Sequence, residues 1–157
     1  MRIPCALLGL ALVLPAVLPL RSEPPALQES LPAVKNALND VISRQLAAFQ
    51  AGDFARAYTF AAVEIRSKYD RAAFEQMVKL GFPILTRSGS VEFGPALDDG
   101  ENGVVYVRVG DAPGGQLYLY SLKREKKDWK IIGVSQKEED QSSPPPASPP
   151  EMPPLSA

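Results

Sequence analysis

The rhythm of the apolar residues changes once along the chain, and that change restricts the fold more than any other feature. Val34, Leu38, Val41, Ile42, Leu46 and Phe49 recur at three- and four-residue steps, which is one stripe of an amphipathic helix over 31–50. Gly52 supplies a stop, and Asp53 is placed to cap a second, short helix through Phe54, Ala57 and Tyr58. After a break over 63–68, Asp70 caps a third helix that buries Phe74, Met77, Val78 and Leu80, ends at Gly81 and is kept from continuing by Pro83. From residue 91 the period is two. Val91 and Phe93 flank Glu92, and the runs VVYVRV, LYLYSL and WKIIGV follow, separated by turns rich in glycine, aspartate, asparagine and lysine. Helices first and hairpins after, without alternation, specify an α+β fold: three N-terminal helices packed on a curved four-stranded antiparallel sheet.

Both faces of the middle strands read as apolar. Val105, Val107, Val109, Leu117 and Leu119 are expected on one face, and Val104, Tyr106, Tyr118, Tyr120 and Leu122 on the other. A half-exposed sheet would alternate with polar residues more strictly, so the second face needs a cover, such as a second copy of the chain meeting it around a two-fold axis.

The two ends do not belong to this core. Arg2 followed by an apolar run over 3–20, broken only by small residues and prolines, has the layout of a secretory signal, and the run is slightly shorter than a spanning helix requires. Residues 1–22 are therefore read as a signal sequence and 23–30 as a linker. The expected location is secreted or periplasmic, with an uncleaved N-terminal anchor as the alternative, because no small-residue cleavage site fits cleanly around Leu20 to Ala26. The last segment, 141–157, contains Pro144, Pro145, Pro146, Pro149, Pro150, Pro153 and Pro154; each proline removes a backbone donor and fixes φ, so the segment reads as an extended, solvated tail. The folded unit is 31–140, one domain's worth of chain.

What is missing narrows the chemistry. There is no histidine, and the single cysteine, Cys5, lies in the N-terminal apolar run. Without imidazole or thiolate the domain offers no zinc or copper ligand set, no disulfide and no Ser-His or Cys-His pair, so no metal and no cofactor is expected. With 17 basic against 18 acidic residues, no electrostatic footprint for nucleic acid is present.

The stretch VISRQLAAFQAGDFARAYTFAA, followed by FEQMVKLGFP, resembles a bacterial family of unassigned function within the nuclear transport factor 2-like, cystatin-like cone superfamily. The resemblance rests on Gln45, Leu46, Phe49, Asp53, Ala57, Tyr58, Phe74, Met77, Val78, Gly81, Phe82 and Pro83, and the closing hairpin LYSLKREKKDWKIIGV is similar to the last hairpin of many members. It implies that the helices close one end of a cone whose concave sheet lines a pocket. It implies no single activity, because the superfamily supports many.

Four residues stand out as pocket candidates. Gln45 lies on the apolar stripe between Val41 and Phe49, where a buried amide needs a partner, either a ligand or a neighbouring loop. Tyr58 and Tyr106 are placed to point hydroxyls into a cavity, or to serve as core with a wet tip. Glu64, beside Arg66 and Asp70 at the break between helices, is either a carboxylate with a raised pKa or one half of a surface salt bridge. Lys123, Arg124, Lys126, Lys127 and Lys130 form the one basic concentration, interrupted by Glu125 and Asp128 as in a solvated hairpin.

These residues favour an exported, non-catalytic domain that binds a small apolar ligand or a partner protein. The alternatives are a metal-free lyase or isomerase using one carboxylate and one tyrosine, and a structural homodimer joined through the tyrosine-bearing sheet face.

Overall fold

The computed structural model of the chain describes residues 26–87, 89–110 and 115–138. The segments read above as a signal sequence and a proline-rich tail lie outside the described residues, as do residues 111–114, read above as part of a turn. In chain order the elements are β1 (Gln28–Glu29), α1 (Pro32–Gln50), α2 (Phe54–Thr59), α3 (Val63–Lys68), α4 (Arg71–Gly81), a 3-10 turn (Pro83–Thr86), β2 (Val91–Asp98), β3 (Asn102–Val109), β4 (Gln116–Glu125) and β5 (Asp128–Lys137). Among the described residues no helix is long and apolar enough to cross a membrane.

The helical layer starts and stops where local chemistry dictates. Pro32 opens α1 at a position where its missing N–H is not needed. Gly52, at φ +71°, makes the left-handed turn into α2. Asp53 accepts a hydrogen bond from the Arg56 amide at 2.9 Å, and Asp70 accepts one from the Ala73 amide at 2.8 Å, so both are helix caps. One expectation fails here. The stretch 63–68, read as a break, is the helix α3, whose first turn is anchored from outside: the Glu125 carboxylate accepts from the Val63 amide at 2.6 Å.

All five strands pair antiparallel in sequence order. The strand not foreseen is β1, which lies in the stretch read as a linker and pairs Gln28 with Asp98 and Glu29 with Leu97. Two residues of strand leave no periodicity to detect. The register shifts between Phe93 and Ala96 in β2, and again where Ser121 and Leu122 of β4 face Gly133 and Ile131 and leave Ile132 of β5 unpaired, so β2 and β5 bend at bulges.

The face assignment of β4 needs correction. Val107 stands directly opposite Tyr118, and Val105 opposite Tyr120. Directly opposed residues share a face, so Tyr118, Tyr120 and Leu122 join Val105, Val107 and Val109 on the inner side, all of them fully buried. Leu117 and Leu119 lie instead with Tyr106 and Val104 on the outer side, half-buried and outside the core cluster. A shift of one residue in the β3–β4 connection inverts every side chain of a strand, and with both faces apolar the alternation could not reveal which parity holds.

The core forms where the α1 stripe of Leu38, Ile42, Leu46 and Phe49 meets this inner face. The fit is tight at Gly103, where an added Cβ would stand 3.0 Å from the Leu38 Cδ2. Gly103→Val is expected to cost about 1–3 kcal/mol by overpacking against Leu38. Thermal unfolding checks this: combining it with Leu38→Ala should lose less than the sum of the single changes.

Candidate ligand-binding cavity

Between the helical layer and β5 lies a cavity of about 230 Å³. Phe49 from α1, Phe74 and Val78 from α4, Leu85 from the 3-10 turn and Ile131 from β5 form its wall, with Ile65, Lys68 and Tyr69 on the α3 side. The cavity is held open by the way residues 60–62 attach to β5. The Ile131 amide donates to the Phe60 carbonyl at 2.9 Å, and the Ala62 amide donates to the Ile131 carbonyl at 2.8 Å. These two bonds fix α3 at the sheet margin while α4 packs further along α1 and α2, and the space between them is lined almost wholly by carbon.

Gln45 is the one polar side chain buried within this wall, at 2% exposure. Its amide nitrogen donates to the Ala57 carbonyl over a long 3.4 Å, and its carbonyl oxygen accepts no hydrogen bond among the described residues. Gln45 thus has the neighbouring-backbone partner that a buried amide needs, and it also lines the cavity.

The other three sequence candidates lie elsewhere. Tyr58 packs its ring edge-on to Phe74 at 5.3 Å, behind the wall, with its hydroxyl 2.6 Å from the Tyr69 carbonyl and 3.0 Å from that of Arg66. Having one proton, it donates to the nearer oxygen, tying α2 to the end of α3. Glu64 is at the surface, 2.6 Å from the Lys123 ammonium, and that hydrogen bond holds its carboxyl below the usual range rather than raising it. Tyr106 is on the outer sheet face, in an open groove at the β2 bulge that it shares with Glu92, Phe93, Pro95, Arg108 and Leu117. The structure thus brings none of the four together.

Most of the cavity wall escaped the sequence reading. Ile65 and Tyr69 are four residues apart, the spacing of one helix face, but six residues of helix are too few for periodicity to stand out. Phe82, Leu85 and Val134 are ordinary core residues in sequence, and only the packing makes them a wall.

Behind that wall are two phenols without hydrogen-bond partners for their hydroxyls among the described residues, Tyr118 and Tyr120. Tyr118 lies 6.3 Å from the Phe82 ring, and Tyr120 stands opposite Val134. Burial pushes both phenols above their normal value; the Gln136 side chain opposes the rise at Tyr118 without completing a hydrogen bond, and the neighbouring Tyr118 adds to the rise at Tyr120. A buried hydroxyl left unpaired costs about 1–3 kcal/mol. Tyr120→Phe is therefore expected to stabilise the domain by about 1 kcal/mol, raising Tm by several degrees. The pH dependence has a definite sign. Above about pH 10 the unfolded phenols ionise while the folded ones resist, so stability falls with rising pH by up to about 1.4 kcal/mol per unit per phenol. Denaturation from pH 9 to 11 checks it, and Tyr120→Phe should make the decline shallower.

The fold and this cavity define a class: an α+β domain with one antiparallel sheet, a helical layer against its inner face, and a small apolar cavity between them. Residues 32–144 match the family described as Domain of unknown function (DUF4864), and the chain belongs to that family. No curated protein and no solved structure matches it.

Proposed function

We propose that this is a non-catalytic binding domain of the nuclear transport factor 2-like cone type, which holds a small apolar ligand in the cavity between α1, α4 and β5. The observation that carries the reading is the composition of that cavity: aromatic and aliphatic side chains from the helical layer, the 3-10 turn and β5, interrupted inside by the Gln45 amide alone. Concave, largely apolar sites with a few placed polar groups are what small-molecule pockets are made of. At about 230 Å³ the volume lies below the roughly 300–1,000 Å³ of drug-sized sites, so the ligand is small.

The supports for the cone assignment are the order of elements, the bends in β2 and β5 and the resemblance over 41–83. Export is proposed on the N-terminal apolar run at 3–20. The catalytic alternative finds less support, because Tyr58 donates to a backbone carbonyl, Glu64 is paired with Lys123, and no acidic side chain lines the cavity.

Native mass spectrometry of the chain purified from its own source should show a bound molecule smaller than a typical drug. Met77→Trp, which places a large ring in the cavity from a half-buried position, should remove it while leaving the circular dichroism spectrum unchanged. A wild-type chain that is recovered at its bare mass and gives no binding heat with 1-octanol would overturn the reading.

A further inference from the structure

The mouth of the cavity carries a charge that the interior does not. Lys68, the last residue of α3, is exposed, lines the cavity and holds its Nζ 5.4 Å from the centroid of the Tyr69 ring, which is itself part of the wall. The other cations nearby are already engaged: Arg66 faces Glu125 at 3.9 Å and Lys123 holds Glu64 at 2.6 Å. Lys68 has no ion pair among the described residues, and no carboxylate lines the cavity. An unpaired ammonium at the rim of an apolar hollow favours a ligand whose tail sheds water inside and whose anionic head stays at the entrance. A neutral hydrocarbon would gain from the wall and nothing from the rim, whereas a dianion would leave one charge without a partner.

We infer that the cavity takes a short amphiphilic monoanion, its apolar body among Phe49, Phe74, Val78 and Ile131 and its carboxylate or equivalent oxyanion on Lys68. This rests on the cavity reading proposed above. The inward orientation follows from exposure: Lys68 is at the solvent boundary, whereas Gln45 is buried and marks the inner end. A hydroxyl or second polar atom at the far end of the ligand would meet the Gln45 amide, so a terminally hydroxylated acid is accommodated better than a plain one.

Isothermal titration of the full chain with octanoate and, separately, with 1-octanol tests this. Octanoate is expected to bind about tenfold more tightly than 1-octanol, and its affinity should fall as salt is raised while that of the alcohol does not. Lys68→Gln should weaken octanoate by about fivefold to tenfold and leave 1-octanol unchanged, and Lys68→Arg should restore most of the loss. Because Lys68 is exposed and makes no ion pair among the described residues, neither variant threatens the fold, and an unchanged Tm shows that the comparison is fair. Equal binding of acid and alcohol, or an octanoate affinity indifferent to Lys68→Gln, overturns the inference and leaves the apolar cavity standing. Failure of both compounds to bind the wild-type chain overturns the cavity reading and this inference together.

Discussion

The contact between α1 and the inner face of the sheet is the constraint on which the rest of the molecule depends. Leu38, Ile42, Leu46 and Phe49 come from one stripe of one helix, and they meet Val105, Val107, Tyr118, Tyr120 and Leu122, which come from two strands distant in sequence. Burying such side chains contributes roughly 1.5–3 kcal/mol each, so a handful of them decides how the two layers sit. Gln45 lies within the same stripe and does not fit that scheme. Where the stripe turns polar it borders the cavity, a gap between the helical layer and β5.

That gap persists because two elements hold the layers apart on one side. Residues 60–62 attach to Ile131 in β5 through two backbone hydrogen bonds, and Glu125 caps α3 at the Val63 amide while also facing Arg66. The pair of Glu64 with Lys123 adds a third, solvent-screened link between α3 and the β4–β5 hairpin. The side chains that the sequence offered as candidate acids or anion contacts are thus the bolts of a corner. They tie α3 to the β4–β5 hairpin, with Lys68 on its exposed side at the cavity.

Much of the architecture was legible in the sequence because it rests on local rules. The helical period of α1, the caps Asp53 and Asp70, and the reversal at Gly100 each act within a few residues, and the structure shows them where the pattern puts them. What escaped was non-local. β1 is two residues long and exists only because β2 offers Leu97 and Asp98 to pair with it. α3 is six residues long and is held by Glu125, 62 positions away in sequence. The parity of β4 is set by register across a connection, and Tyr118 and Tyr120 therefore face the helices rather than a second copy of the chain. The cavity shares this limit. Gln45 announced itself as a polar residue on an apolar stripe, whereas Lys68 was one lysine among many until packing set it at the edge of the cavity.

The bulge in β2 has a wider meaning for the life of the protein in solution. β1 pairs with only Leu97 and Asp98, and the Ser30 amide reaches one residue further to the Ala96 carbonyl, so the rest of β2 has no strand partner on that side among the described residues. Such margins invite strand-to-strand aggregation between molecules. Here Pro95 removes a donor and the irregularity between Phe93 and Ala96 breaks the flat, regular spacing that an incoming strand would need. The same kink that shapes the outer groove thus works against fibrous self-association.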